Sequence, residues 1–261
     1  MTNDISGRYT GRLLADMGAN VIKIESPGSS RDERSIESLA YDTNKRSIVL
    51  NIEEKSGIEN LISLTKKMDV FILTGTKKHI DYLSNRGLNF DQLRDLNPNL
   101  ITVSITPFGE TGPYSNYNGY GLNAMSMSGL MMIQGDDSKE PVNAPGNQSY
   151  LLPDIHAANG IFYALIAREN IGQGQHVEVS QQEVLANIFF QIIRYSATGE
   201  ISERLGAKGN LSPYNLYECE DGWVSLAVLL APQAKVFFEW VGDPALQTDY
   251  WYSFESRTGE A

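Results

Sequence analysis

The chain has 261 residues, 41% apolar and 20% charged, enough to bury a full core in one large domain or two modest ones. Its formal net charge of -11 argues against a nucleic-acid or anionic-membrane partner, while a local basic patch still admits an anionic substrate. One cysteine, Cys219, excludes an internal disulfide framework. With no 18-residue apolar run and no secretory signal in the opening MTNDIS, the expectation is a cytoplasmic protein without a membrane span.

Residues 11–17 set Leu13, Leu14 and Met17 on one side of a short helix closed by Gly18. Residues 21–25 alternate and run into Pro27 and Gly28, as a strand leaving into a loop does. A second strand is expected at 47–51. A helix follows at 53–67, with Ile58, Leu61, Ile62 and Leu64 near helical spacing. Residues 69–73 are continuously apolar, like a strand buried on both faces of a parallel sheet. A helix at 90–96, closed by Asn97 and Pro98, leads to another buried strand at 100–106. This alternation implies right-handed βαβ units and an α/β fold, a Rossmann-like open parallel sheet with flanking helices.

The loop at 108–114 follows the C-terminal end of that strand, where open α/β sheets bind ligands. Residues 123–132 carry Met125, Met127, Met131 and Met132 and read as a helix packed in the core. A polar loop at 136–146 precedes a long helix from Pro153 or Asp154 to 169, a strand at 177–180 and a helix at 181–198. Beyond Gly199 the composition shifts. Gly206, Gly209 and Pro213 form a linker, followed by a strand at 223–229 and a helix at 232–241. The expected domains are 1–199, a large α/β domain, and 200–261, a linker with part of a smaller α+β domain.

Few residues point to chemistry by themselves. His79, His156 and His176 have no evident partner and read as surface or structural. Cys219 lies in an apolar strand context and reads as inert. No His, Cys, Asp or Glu spacing suggests a metal. GQGQ at 172–175 follows a helix rather than starting one, so it reads as a turn and not as a phosphate loop.

Several stretches in order have a familiar look: LADMGANVIKIE at 14–25, TNKRS at 43–47, NPNLI at 97–101 and FGETGPY at 108–114. The segment from Ser149 through Arg168 to the GQGQHVEVS run at 172–180 continues the series, and DGW at 221–223 and VGDP at 241–244 close it. Together they resemble the family III CoA-transferases, the group with carnitine CoA-transferase, formyl-CoA transferase and the acyl-CoA racemases. The resemblance implies a large CoA-binding domain and a smaller one. It implies that CoA passes from an acyl-CoA thioester to a small carboxylic acid, with coenzyme A as substrate and no permanently bound cofactor. It implies covalent catalysis by an aspartate, through an acyl-aspartyl anhydride and an aspartyl thioester, with backbone N–H groups of a glycine-rich loop steadying the oxyanion. It also implies an interlocked homodimer. Family members begin with a further strand and continue past the position of Arg257, so the chain reads as shortened at both ends. An incomplete sheet, or one completed by a partner chain, is then expected.

Counted back without gaps from Arg168 and GQGQ, the family's catalytic aspartate falls on Tyr150, and Asp154 lies one helical turn later. Two readings follow. Asp154 does the work after a local shift of four residues, or Asp154 is the N-cap of the following helix and the nucleophile is absent. Tyr150, a phenol with an ordinary pKa near ~10, is a poor replacement and better suited to hydrogen-bonding a thioester. The racemase branch uses a His where this chain has Tyr120, which counts against racemisation.

The phosphates of CoA need cations. Lys45 and Arg46 are the first candidates, since two adjacent cations follow a turn. Lys77 and Lys78 lie in the expected loop after a central strand, and Arg31 and Arg34 follow the first strand. The rival reading for each is a solvated surface charge. Two other functions remain open: a CoA-binding or subunit-like protein without transferase activity of its own, and a racemase or lyase on the same scaffold.

Overall fold

The computed structural model describes residues 5–28, 35–188, 191–201, 204, 211–253 and 256–257. The chain divides into two compact units, one of residues 1–130 with 144–199, the other of residues 131–143 with 200–261. Residues 131–143 thus join the second unit, whereas the sequence reading keeps them in the first domain.

In the first unit, helix α1 (Arg8–Asp16) precedes strand β1 (Ile22–Glu25), helix α2 (Ile36–Tyr41) and strand β2 (Arg46–Val49), which pairs parallel with β1. Helix α3 (Lys55–Thr65) leads to β3 (Val70–Thr74). Helices α4 (Lys77–Leu83) and α5 (Phe90–Leu96), joined by a π turn at Ser84–Leu88, lead to β4 (Ile101–Thr106). Strand β5 (His176–Ser180) completes a parallel sheet in the order β3-β4-β5. Every residue of β4 is buried, as the unbroken apolar run predicts for a central parallel strand.

The two faces of this sheet differ. One carries Ile101, Val103, Ile105 and Val179 and packs against Ala157, Ile161 and Ala164 of helix α7 (Gln148–Ile171). The small side chains of α7 let helix and sheet approach closely. At the turn into β5, Gly174 donates its N–H to Pro98 O at 2.7 Å, and a Cβ there would lie 2.0 Å from Leu100 O. On the other face Phe71 and Leu73 of β3 join Ile58, Leu61, Ile80, Leu83, Leu88 and Leu93. The β4 and β5 part of that face is polar, with Thr102, Ser104, Thr106, His176 and Ser180.

Several boundaries differ from the sequence reading. Helix α7 starts at Gln148, so Pro153 lies within it and its N-cap is Asn147, not Asp154. The expected helix at 123–132 is α6 (Gly121–Met127) followed by a 3-10 turn at Leu130–Ile133. Of its four methionines Met125 is fully buried, while Met127 and Met132 are exposed. The expected helix at 181–198 is two, α8 (Gln181–Asn187) and α9 (Gln191–Thr198). Lys77 and Lys78 open α4 rather than occupy a loop, because Thr76 caps it by accepting the His79 N–H.

In the second unit, β6 (Asn215–Cys219) and β7 (Gly222–Leu226) form an antiparallel hairpin followed by α10 (Ala231–Val241). A small core forms from Val228, Ala234 and Phe238, with Trp251 and Tyr252 packed against it. Arg257 is wholly buried there and donates to Ser253 O, Ser212 O, Val228 O and Leu229 O. Cys219 is exposed. No helix among the described residues is long and apolar enough to cross a membrane.

Candidate functional site

The site is built on the start of α1. Gly7 sits in the left-handed region (φ 75°) as N-cap and brings no side-chain cap of its own. Asp154 of α7 supplies one instead. Its Oδ1 accepts the Gly7 N–H at 2.8 Å, and its Oδ2 accepts those of Tyr9 at 3.0 Å and Thr10 at 3.2 Å. The Thr10 hydroxyl donates to Asp154 O at 3.0 Å. A carboxylate at a helix N-terminus satisfies otherwise unpaired donors and complements the helix dipole. Asp154 has 0% of its surface exposed. It is therefore a cap, but of α1 rather than of its own helix.

Arg8, between the capped amides of Gly7 and Tyr9, points to Asp42. Its Nε and Nη2 meet Asp42 Oδ1 and Oδ2 at 3.1 and 2.6 Å, and its side chain is 3% exposed. Lys23 reaches Asp42 Oδ2 at 2.8 Å and Glu25 at 2.6 Å. Lys45 donates to Arg8 O at 2.6 Å and Asp42 Oδ1 at 3.3 Å, with 5% of its side chain exposed. Its stem crosses α1 at Gly11, where a Cβ would sit 3.2 Å from Lys45 Cε. Burial pushes the Asp42 carboxyl up, yet the hydrogen bonds of Arg8 and Lys23 and the charges around it hold it well below the usual carboxylate range. Burial pulls the Lys45 ammonium down to about 8, against the opposing pull of Asp42.

Aromatic groups line the same region. The Arg8 guanidinium lies 5.7 Å from the Tyr41 ring centroid, and Tyr9 meets Tyr41 edge-on at 6.3 Å. Asn147 at the head of α7 donates to the Tyr41 hydroxyl at 3.4 Å. One turn on, the Tyr150 hydroxyl accepts the Gly121 N–H of α6 at 3.0 Å.

The candidate residues of the sequence reading therefore separate. Lys45 joins the buried cluster. Arg46, its neighbour, is exposed and donates to Asn20 Oδ1 at 2.5 Å. Lys77 pairs with Asp81 at 2.6 Å and Lys78 is exposed. Arg31 and Arg34 lie outside the described residues. Arg8, Asp42, Tyr41 and Asn147 did not stand out in the sequence. Asp42, one residue before the TNKRS turn, was the available hint of a counter-ion.

His176 is not a bare surface histidine. Its Nδ1 lies 2.9 Å from Thr102 Oγ1, its Nε2 3.2 Å from Glu110 Oε1, and Phe90 packs on the ring at 4.8 Å. Burial raises the Glu110 carboxyl, but hydrogen bonds from His176 and Ser104 bring it below its ordinary value. This pairing ties the loop after β4 to strand β5. His156 is exposed and bonds only Leu152 O within its own helix among the contacts described.

The geometry of an α/β unit with a buried ion-pair cluster beside a capped helix start names no family by itself. Comparison does: the CoA-transferase family III profile matches residues 1–260. The chain belongs to CoA-transferase family III. A succinate–glutarate CoA-transferase from Agrobacterium fabrum is 36% identical to it over 245 residues, 86% of this chain and 60% of that protein. The succinyl-CoA:(R)-benzylsuccinate CoA-transferase subunit BbsE of Thauera aromatica is 29% identical over 283 residues, covering 100% of this chain and 68% of that one. The crystal structure of a CAIB/BAIF family protein from Brucella suis superposes with a TM-score of 0.79 at 28% identity, over 98% of this chain and 71% of that one. The family III chain described here thus spans roughly two thirds of the length of its relatives.

Proposed function

We propose that this chain binds acyl-CoA thioesters and takes part in the exchange of CoA with a small carboxylic acid. The family match along 1–260, with curated relatives named for such exchanges, carries the reading. Those names point to dicarboxylic acids as the substrate class. Arg8, Lys23 and Lys45 are balanced by Asp42, Glu25 and Glu37, while exposed Arg46 bonds the neutral Asn20 side chain and offers a positive charge to the CoA phosphates.

The route implied by the resemblance has an aspartate attack the thioester carbonyl carbon. The carbon–sulfur bond breaks, CoA leaves as thiolate, and the acyl group remains on the aspartate as an anhydride. CoA thiolate then attacks the aspartyl carbonyl, releasing the first acid and leaving an aspartyl thioester for the acceptor acid. For Asp154 to serve, its carboxylate must leave the amides of Gly7, Tyr9 and Thr10 and turn toward substrate. A second reading needs no such movement: the chain binds CoA within a multimer and another subunit supplies the carboxylate. The burial of Asp154 favours it, and the relative BbsE is itself named a subunit.

Transfer of CoA from succinyl-CoA to glutarate by the purified chain, with coenzyme A binding measured in parallel, separates these readings. Transfer that Asp154→Ala abolishes while binding persists supports the aspartyl route. Binding without transfer supports the subunit reading. Neither binding nor transfer sinks both.

A further inference from the structure

We infer that Asp154 is a positioning residue for the cation cluster: through the backbone on either side of Arg8 it sets where Arg8 and Lys45 stand. Three direct contacts in series make the case. Asp154 takes the N–H groups of Gly7 and Tyr9, the residues flanking Arg8, and that of Thr10 just beyond. Arg8 places its guanidinium on Asp42 in a two-point pair and its carbonyl on Lys45 Nζ. Lys45 then closes the circuit on Asp42 Oδ1. Helix α7, helix α1 and the turn before β2 are thus joined by one polar relay whose members are nearly all withdrawn from water.

The relay has little slack. The Asp154 carboxylate is fully buried, and Thr10 Oγ1 adds a fourth tie to its backbone oxygen. Lys45 lies against Gly11 on the next turn of α1, so moving α1 moves the floor under Lys45. Buried polar groups left without partners cost more than the bonds themselves gain, so losing one end of such a relay is expected to loosen the other. The inference rests on the CoA reading only for its purpose, the placing of cations for an anionic ligand. The relay itself is read without any ligand.

The test measures the rate at which Lys45 is labelled by acetic anhydride, resolved by mass spectrometry, in wild type and in Asp154→Asn. The asparagine keeps the shape and one acceptor but loses the charge. Lys45 labelling is expected to rise about tenfold, while exposed Lys55 and Lys235, each paired with a glutamate on its own helix, keep their wild-type rates. Unchanged Lys45 labelling in a folded Asp154→Asn protein overturns the inference. Should that variant fail to fold, Lys45→Met reads the relay from its other end. The amides of Gly7, Tyr9 and Thr10 should then exchange with solvent about tenfold faster, and wild-type protection would overturn it. Coenzyme A affinity of the same proteins tests the purpose separately. No binding by wild type rejects the CoA reading and leaves the relay standing on its labelling result.

Discussion

Arg8 and Asp42 meet as a fork on a fork, Nε to Oδ1 at 3.1 Å and Nη2 to Oδ2 at 2.6 Å, with the guanidinium almost wholly withdrawn from solvent. Such a pair is weak evidence for stability, since desolvation of both charges offsets their attraction. Breaking it from one side is a different matter. Asp42→Asn leaves Arg8, Lys23 and Lys45 facing a neutral group, and we expect a loss of about 3–5 kcal/mol, as for other buried pairs. Urea unfolding at neutral pH measures it.

The same carboxylate sets an acid limit. Its pKa is depressed in the folded state, so it contributes stability that is present above the unfolded value near ~3.9 and lost as pH falls through the folded value. The gap in unfolding free energy between wild type and Asp42→Asn should therefore shrink below about pH 4.

Lys45 sets the opposite slope at alkaline pH. Its folded pKa of about 8 is below the unfolded value, so between pH 8 and 10 the unfolded chain holds the extra proton. Unfolding stability from this group rises with pH across that window. Relative to Lys45→Met, wild type should gain stability from pH 8 to 10. A constant difference would show that Lys45 keeps an ordinary pKa.

Arg257 is the tie of the second unit, its guanidinium shared among four backbone carbonyls. Trp223, Trp240 and Trp251, all the tryptophans of the chain, lie in that unit and report on it alone. Arg257→Met should lower the midpoint of the tryptophan transition, with a loss of unfolding free energy of about 1–3 kcal/mol, because the buried Val228 carbonyl and three part-buried ones lose their donor. Retention of the wild-type midpoint would mean those carbonyls find other partners.

Gly174→Ala should destabilise the first unit by about 1–3 kcal/mol or more, because the added methyl enters the Leu100 carbonyl. Thermal unfolding followed by far-ultraviolet circular dichroism reads it.

Much of the fold was legible because its signals are local. The apolar run ending at Leu73 and the one from Ile101 could only be buried strands, and the Asn97-Pro98 step stops α5 where expected. Helix α7 was harder. Pro153 looks like a first helical residue, yet the helix runs back to Gln148, where Leu151 donates to Asn147 O, Ser149 is buried and Tyr150 bonds Gly121. The site was less legible still. Asp154 was visible as a cap, but its target lies 144 to 147 residues away. Lys45 and Arg46 are neighbours, one buried on Asp42 and the other exposed on Asn20, which a linear cluster of charge does not reveal.

The most direct measurement is the intact mass of the chain after incubation with succinyl-CoA and hydroxylamine, with peptide mapping of any adduct. Hydroxylamine turns an aspartyl thioester or anhydride into a stable hydroxamate. The account predicts acyl-CoA retained by the folded chain in native mass spectra and no hydroxamate at Asp154, whose carboxylate holds α1. A hydroxamate mapped to Asp154 would contradict it, and would show that the start of α1 opens to release the nucleophile.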